Sequence, residues 1–71
     1  MRRFELLRIT DVSGVSGTGL VAEGVEFSSG KVALCWYGEY RSMSFWDSID
    51  SLEAVHGHEG STKVVWIDSI N

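Results

Sequence analysis

Two histidines flank a single glycine in the segment His56-Gly57-His58. Residues two apart on a β-strand point to the same side, so both imidazoles would reach one metal ion or one anionic group. A zinc site needs three or four convergent ligands, and this segment supplies two. We therefore predict no metal site; for His56 and His58, a contact to a polar ligand and a solvated turn both stay open.

A segment rich in glycine and hydroxyl residues, DVSGVSGTG, occupies residues 11–19. Backbone amides in such a segment can turn toward an anion, and hydroxyl groups add further donors. The candidate ligand-binding residues are Ser13, Ser16, Gly17, Thr18 and Gly19. Nucleotide-binding loops of known type precede a helix, and the P-loop carries a lysine, whereas a strand is expected to follow here and the lysine is missing. A recognition loop and a surface loop without a ligand are the two interpretations.

Aromatic residues are the third group with a chemical use, because outward-facing rings stack on bases or anchor a protein partner. The candidate partner-binding residues are Trp36, Tyr37, Tyr40 and Trp46. The net charge of −4 disfavours nucleic acid, since binding to a phosphate backbone needs a basic surface. A protein partner is therefore preferred over nucleic acid, and the competing interpretation is that these rings cap the open ends of a small barrel.

Catalytic chemistry finds little support in the sequence. The single cysteine, Cys35, excludes an internal disulfide framework. Nothing near Cys35 favours a reactive thiolate, and no order or spacing of residues matches an acyl-transfer site. We predict no enzyme activity and no cofactor.

Length and composition limit the architecture. Seventy-one residues, 44% of them hydrophobic, allow one small domain over residues 1–71. No apolar run approaches the roughly 20 residues of a membrane-spanning helix, so no membrane contact is predicted.

Short apolar runs alternate with glycine- and serine-rich breaks, which is typical of strands and turns. The predicted strands span residues 3–10, 20–27, 32–36, 42–46 and 62–70. A two-residue turn at Ser29-Gly30 would pair Phe27 with Val32 and Val25 with Leu34, so that apolar side chains meet on one face.

The segment between residues 48 and 67 has two interpretations. A turn at Glu59-Gly60 would pair His56 with Lys63 and Leu52 with Ile67, giving a second hairpin after a single helical turn at residues 48–51. The alternative is a helix over residues 48–56 that begins at an N-cap residue at position 47 or 48. We favour the hairpin because residues 62–70 are strongly β-forming.

The predicted fold is all-β: a small antiparallel barrel or roll, SH3-like or OB-like, with five to six strands and at most one short helical turn. Closure of the sheet would leave few exposed strand edges. A homo-oligomer is also expected, because a short sheet gains buried apolar area by pairing with a copy of itself.

Two long stretches, residues 11–34 and 45–68, resemble a group of short accessory proteins of actinobacterial phages and prophages. The most distinctive pieces are the loop at residues 11–19, the VAEG stretch at residues 21–24 and His56-Gly57-His58. The resemblance covers roughly residues 4–68 and carries over no catalytic or binding residue. It implies a phage accessory protein that acts in the host bacterial cytoplasm.

The function expected from these observations is that of a non-enzymatic phage-type binding module. It would act through a protein–protein interface with a host or phage protein, as an inhibitor of a host factor. The alternative is a sponge or carrier for a small anionic ligand such as a nucleotide, held by the loop at residues 11–19 and the two histidines.

Overall fold

The fold is a five-stranded antiparallel sheet with one short helix, seen in a computed structural model that describes residues 1–9, 19–57 and 60–68. The elements in chain order are β1 (Arg2–Arg8), β2 (Gly19–Glu26), β3 (Val32–Trp36), β4 (Met43–Trp46), α1 (Ile49–His56) and β5 (Thr62–Trp66). The strand order in the sheet is β4-β3-β2-β1-β5, with β4 and β5 at the two edges. The predicted all-β class and the five strands are confirmed, but the sheet is open and does not close into a barrel.

The sheet has a helix-covered face and a helix-free face, because successive side chains of a strand point to opposite sides. The helix contacts both edge strands and therefore lies across one face. The fully buried residues of that face and of the helix form the core: Phe4, Leu6, Ala22, Val32, Leu34 and Leu52. Half-buried tryptophans, Trp36, Trp46 and Trp66, pack around this core.

The β2–β3 hairpin exists as predicted, but its predicted register is wrong by one residue. Glu26 pairs with Val32 and Val25 with Ala33. The turn is longer than two residues, since the Phe27 N–H donates to the Lys31 carbonyl at 2.8 Å. A shift of one residue exchanges the two faces of a strand. Val25 and Phe27, predicted to share a face with Leu34 and Val32, therefore lie on the helix-free face instead.

The close approach of Phe4 to Gly24 accounts for this register. A Cβ atom at Gly24 would lie 2.4 Å from the Phe4 ring, which is closer than any real contact. Phe4 therefore packs directly over Gly24, and Gly24 must lie on the helix-covered face, opposite Leu34. The burial of one large ring outweighs the cross-strand apolar pairs on which the predicted register was based.

The second predicted hairpin is wrong, and the alternative helix is present as α1. Ser48 caps it reciprocally with Ser51: each hydroxyl oxygen accepts a hydrogen bond from the other residue's backbone N–H at 3.1 Å. One turn later, Leu52 is fully buried in the core. The strand β5 forms where β-propensity predicted it, but it pairs with β1 instead of residues 52–58.

Candidate functional site

Arg8 and Thr62 lie side by side at one end of the helix-covered face. The register of β1 and β5 pairs them, and Arg8 also pairs with Gly19, the first residue of β2. Arg8 is 8% exposed and Thr62 is 4% exposed. The Arg8 Nε and Thr62 Oγ1 atoms are buried without a hydrogen-bond partner. A permanent cation and a hydroxyl group thus stand together, each with unused hydrogen-bonding capacity.

Arg2, at the opposite end of β1, also buries its Nε atom, but its guanidinium has two neighbours in this fold. It lies 3.6 Å from the centre of the Trp66 ring and 3.9 Å from a Glu26 carboxylate oxygen. The ion pairs among the described residues use Arg2, Arg3, Lys31 and Arg41, and none of them includes Arg8. A buried donor without a hydrogen bond is costly, and an anion at this position would satisfy the Arg8 Nε.

His56 ends α1 beside the same region. It lines a narrow crevice under the helix together with Glu53, Gly57 and Thr62. Its ring is held edge-on between two tryptophans, at centroid distances of 4.9 Å from Trp36 and 5.2 Å from Trp46. The two aromatic rings therefore determine the orientation of the imidazole, and the crevice places it close to Thr62.

The structure thus brings two predicted ligand-binding residues to this end of the sheet. Gly19 lies opposite Arg8 across β1 and β2, and His56 shares the crevice with Thr62. The other predicted ligand-binding residues lie outside the described residues: Ser13, Ser16, Gly17, Thr18 and His58. Sequence reasoning missed Arg8 and Thr62. The available signal was that Arg8 alternates in phase with Phe4 and Leu6, which places a charge on the core side of β1.

The four predicted partner-binding aromatics do not form one surface. Trp36 and Trp46 are half-buried against the core, on the side that α1 covers. Tyr40 is exposed in the connection between β3 and β4. Tyr37 is half-buried, and its hydroxyl lies 3.3 Å from carboxylate oxygens of both Glu5 and Glu23.

The environment of Tyr37 favours its neutral phenol. Burial raises its pKa above the ordinary value, and the charges of Glu23 and Glu5 raise it further. Arg41 lies on the same side, with its guanidinium carbon 5.4 Å from the Tyr37 ring centre and a nitrogen 3.8 Å from a Glu23 oxygen. This polar cluster occupies one part of the helix-free face.

The rest of the helix-free face is largely apolar. Phe45 is 74% exposed and Met43 is 55% exposed. Beside them is a hollow of about 290 Å³, lined in part by Val25, Ala33 and the free thiol of Cys35. Arg3 and Glu23 also line the hollow, but most of the lining is apolar, so the hollow fits an apolar side chain better than a polar ligand.

Among the described residues, no group of three or more histidine, cysteine, aspartate or glutamate side chains could hold a metal ion. No helix in the same residues has the length and apolar character needed to cross a bilayer.

No curated protein and no solved structure shows significant similarity to the chain. A family model described as Acb5 phage protein matches residues 1–68, and this match confirms the resemblance to phage proteins. The chain therefore belongs to the Acb5 phage protein family.

Proposed function

We propose that the protein is a non-enzymatic phage binding module that sequesters a small anionic ligand, such as a nucleotide, at the Arg8–Thr62 end of the sheet. The observation that carries this proposal is the buried Arg8 guanidinium, whose Nε has no hydrogen-bond partner. The family match supports the phage context. The expected action in the host cytoplasm and the origin in phages of actinobacteria stay predictions.

The chemistry of the pair suits a phosphate. A guanidinium donates two parallel hydrogen bonds to phosphate oxygens, and these charge-assisted bonds are about twice as strong as neutral ones. The Thr62 hydroxyl adjoins it and can donate a further bond. Gly19, opposite Arg8, leaves the backbone open to close approach by a ligand. Sequestration needs only affinity, so these few groups are sufficient for it.

The test compares wild type with Arg8→Met and with the control Lys63→Met. Lys63 carries the same positive charge as Arg8 and is next to Thr62 in β5. Its side chain is exposed and points to the helix-free face. Melting temperatures are measured with phosphate, pyrophosphate, nucleoside mono-, di- and triphosphates and dinucleotides. A ligand at 100 times its Kd stabilises by about 2.7 kcal/mol, which raises the melting temperature by roughly 10–20 °C in a domain of this size.

We expect one phosphate-bearing ligand to raise the melting temperature of wild type and Lys63→Met, but not of Arg8→Met. Without ligand, Arg8→Met should melt at the wild-type temperature or above, because methionine removes a buried donor that has no hydrogen-bond partner. The proposal fails if no compound of the panel stabilises the wild type, or if Arg8→Met retains the full shift. A large loss of stability in unliganded Arg8→Met would also contradict it, since Arg8 would then serve the fold itself.

A protein partner is the second candidate function, and the exposed apolar part of the helix-free face favours it. Inhibition by occlusion requires a surface and not a reaction centre, and exposed Phe45 and Met43 provide apolar anchors. Co-purification from host lysate with wild type and Phe45→Asp tests this function. A host protein retained by wild type and lost from Phe45→Asp would support it, whereas equal recovery by both proteins would exclude this face.

A further inference from the structure

We infer that the helix-free face is covered by a second copy of this chain, with Phe45 of each copy seated in the hollow of the other. The inference concerns a surface separate from the Arg8–Thr62 site and does not depend on the proposed ligand. Three observations carry it: the apolar character of the face, its charge balance, and the presence of a projection and a hollow on the same surface.

The apolar character follows from the number of layers. One eight-residue helix covers one side of the five strands, and no other helix among residues 1–9, 19–57 and 60–68 covers the opposite side. An antiparallel sheet with a solvated side normally alternates apolar and polar residues. Here that side keeps large exposed apolar residues within strands or directly after them: Phe27, Met43, Phe45, Val65 and Ile67. A domain is stable when such a side is packed against another layer.

The charge balance distinguishes a second copy from other partners. The described residues of the helix-free face include three basic and three acidic side chains: Arg3, Arg41, Lys63, Glu5, Glu23 and Asp68. The other charged residues that the structure describes are three basic and five acidic, with a net charge of −2. Two copies that meet through the neutral set avoid the repulsion between acidic surfaces. A strongly basic partner would prefer the acidic remainder of the surface.

The face also has the shape that a two-fold interface requires. A symmetric dimer uses one patch on both copies, so that patch must contain a projection and a matching recess. Phe45 pairs with Ala33 across β3 and β4 and projects at 74% exposure. Ala33 and Cys35 are small residues that line the hollow of about 290 Å³ beside it. A two-fold rotation would place each Phe45 ring over the hollow of the other copy.

The size of the sheet requires the interface to use the whole face. Strands about 4.8 Å apart, with about 3.3 Å per residue, give five strands a flat area on the order of 400 Å². Standard interfaces bury about 800 Å² of accessible surface per partner, so the loops at the ends of the strands would contribute as well. Two sheets would then stack about 10 Å apart, as in a β-sandwich.

The experiment is sedimentation analysis of wild type, Phe45→Asp and Val55→Asp over a hundredfold range of concentration. Val55 is 55% exposed, as is Met43, but it lies on α1. We expect wild type and Val55→Asp to sediment at twice the chain mass of 7.9 kDa. Phe45→Asp should sediment as a single chain, with a dissociation constant raised at least about thirtyfold. Circular dichroism verifies that each variant is folded.

A second measurement reports on the face directly. Cys35 is the only cysteine and lines the hollow, so the rate of thiol alkylation measures how accessible this face is. The rate should fall as wild-type concentration rises and stay constant in Phe45→Asp. A wild type that is a single chain at every concentration would overturn the inference, even if a host protein then bound this face. A dimer that Phe45→Asp leaves intact, with unchanged Cys35 labelling, would place the interface elsewhere and overturn it equally.

Discussion

At the residue scale, Gly24 is a position where one added methyl group would collide with the core. A Cβ atom there would lie 2.4 Å from the Phe4 ring and 2.8 Å from the Ala33 carbonyl oxygen, which belongs to the backbone and cannot move aside. We expect Gly24→Ala to lower the free energy of unfolding by about 1–3 kcal/mol, as overpacking in a core does. Urea denaturation measures the loss.

A double-mutant cycle with Phe4→Leu identifies the cause of that loss. The smaller side chain removes the ring atoms that approach Gly24, so the two changes together should cost less than the sum of the single changes. Strict additivity would show that the Phe4 ring does not dictate glycine at this position.

The ion pair between Arg3 and Asp68 links stability to acid pH. Hydrogen bonds from the Arg3 side chain and backbone lower the pKa of Asp68 to about 2, from an ordinary value of 3.8. A carboxyl group with a lowered pKa stabilises the fold above its unfolded value and loses that contribution as pH falls through its folded value. We therefore expect Asp68→Asn to flatten the stability curve between about pH 4 and pH 2. Chemical denaturation across this range, with the exposed Glu39→Gln as control, measures the difference; identical slopes for Asp68→Asn and wild type would contradict it.

Arg8 shows how far residue-level sequence reasoning reaches. Its spacing from Phe4 and Leu6 places it on the core side of β1, so its burial could be predicted from alternation alone. The lack of a partner for its Nε atom could not be predicted, because the partner depends on which carboxylates the strand order brings near β1. Arg2 has Glu26 on β2 and Trp66 on β5 as neighbours. Arg8 has Gly19 and Thr62 on the same two strands, and neither carries a charge.

At the element scale, α1 depends on its cap. Two hydrogen bonds between Ser48 and Ser51 satisfy backbone donors at the helix start. We expect Ser48→Ala to lower the free energy of unfolding by about 1 kcal/mol. Ser48→Asn should retain most of this stabilisation, because asparagine is also a favourable N-cap residue. Thermal unfolding measures both variants, with the exposed Ser42→Ala as control. A Ser48→Ala variant as stable as the control would mean that core packing of Leu52 alone holds the helix.

The β2–β3 hairpin and α1 show why elements were harder to predict than fold class. The glycine and serine at the turn predict the hairpin. Two registers one residue apart are both compatible with apolar pairs, and the packing of Phe4 against Gly24 selects between them. The helix is the alternative to a predicted hairpin, and one strand of that hairpin, β5, does form. Only the pairing of β5 with β1 frees residues 49–56 to become helical.

At the scale of the whole molecule, the helix makes the two faces of the sheet different, and each face carries one of the proposed sites. It covers one face and ends at His56, beside Thr62 and the proposed anion site. No helix in the described part of the chain covers the opposite face, which carries the proposed dimer interface. Because the sites lie on different faces, a dimer would hold two ligand sites that act independently.

Stability should therefore rise with protein concentration, and this concentration dependence should be the same with and without Arg8. A dimer that unfolds to separate chains gains stability with concentration, by about 2.7 kcal/mol per dimer for a hundredfold increase. We expect the melting temperature of wild type and of Arg8→Met to rise together with concentration in calorimetry, and that of Phe45→Asp to stay constant. A constant wild-type melting temperature would contradict the dimer. A concentration dependence lost in Arg8→Met would show instead that the two surfaces are coupled, because the Arg8 end and the helix-free face would then have to belong to one interface.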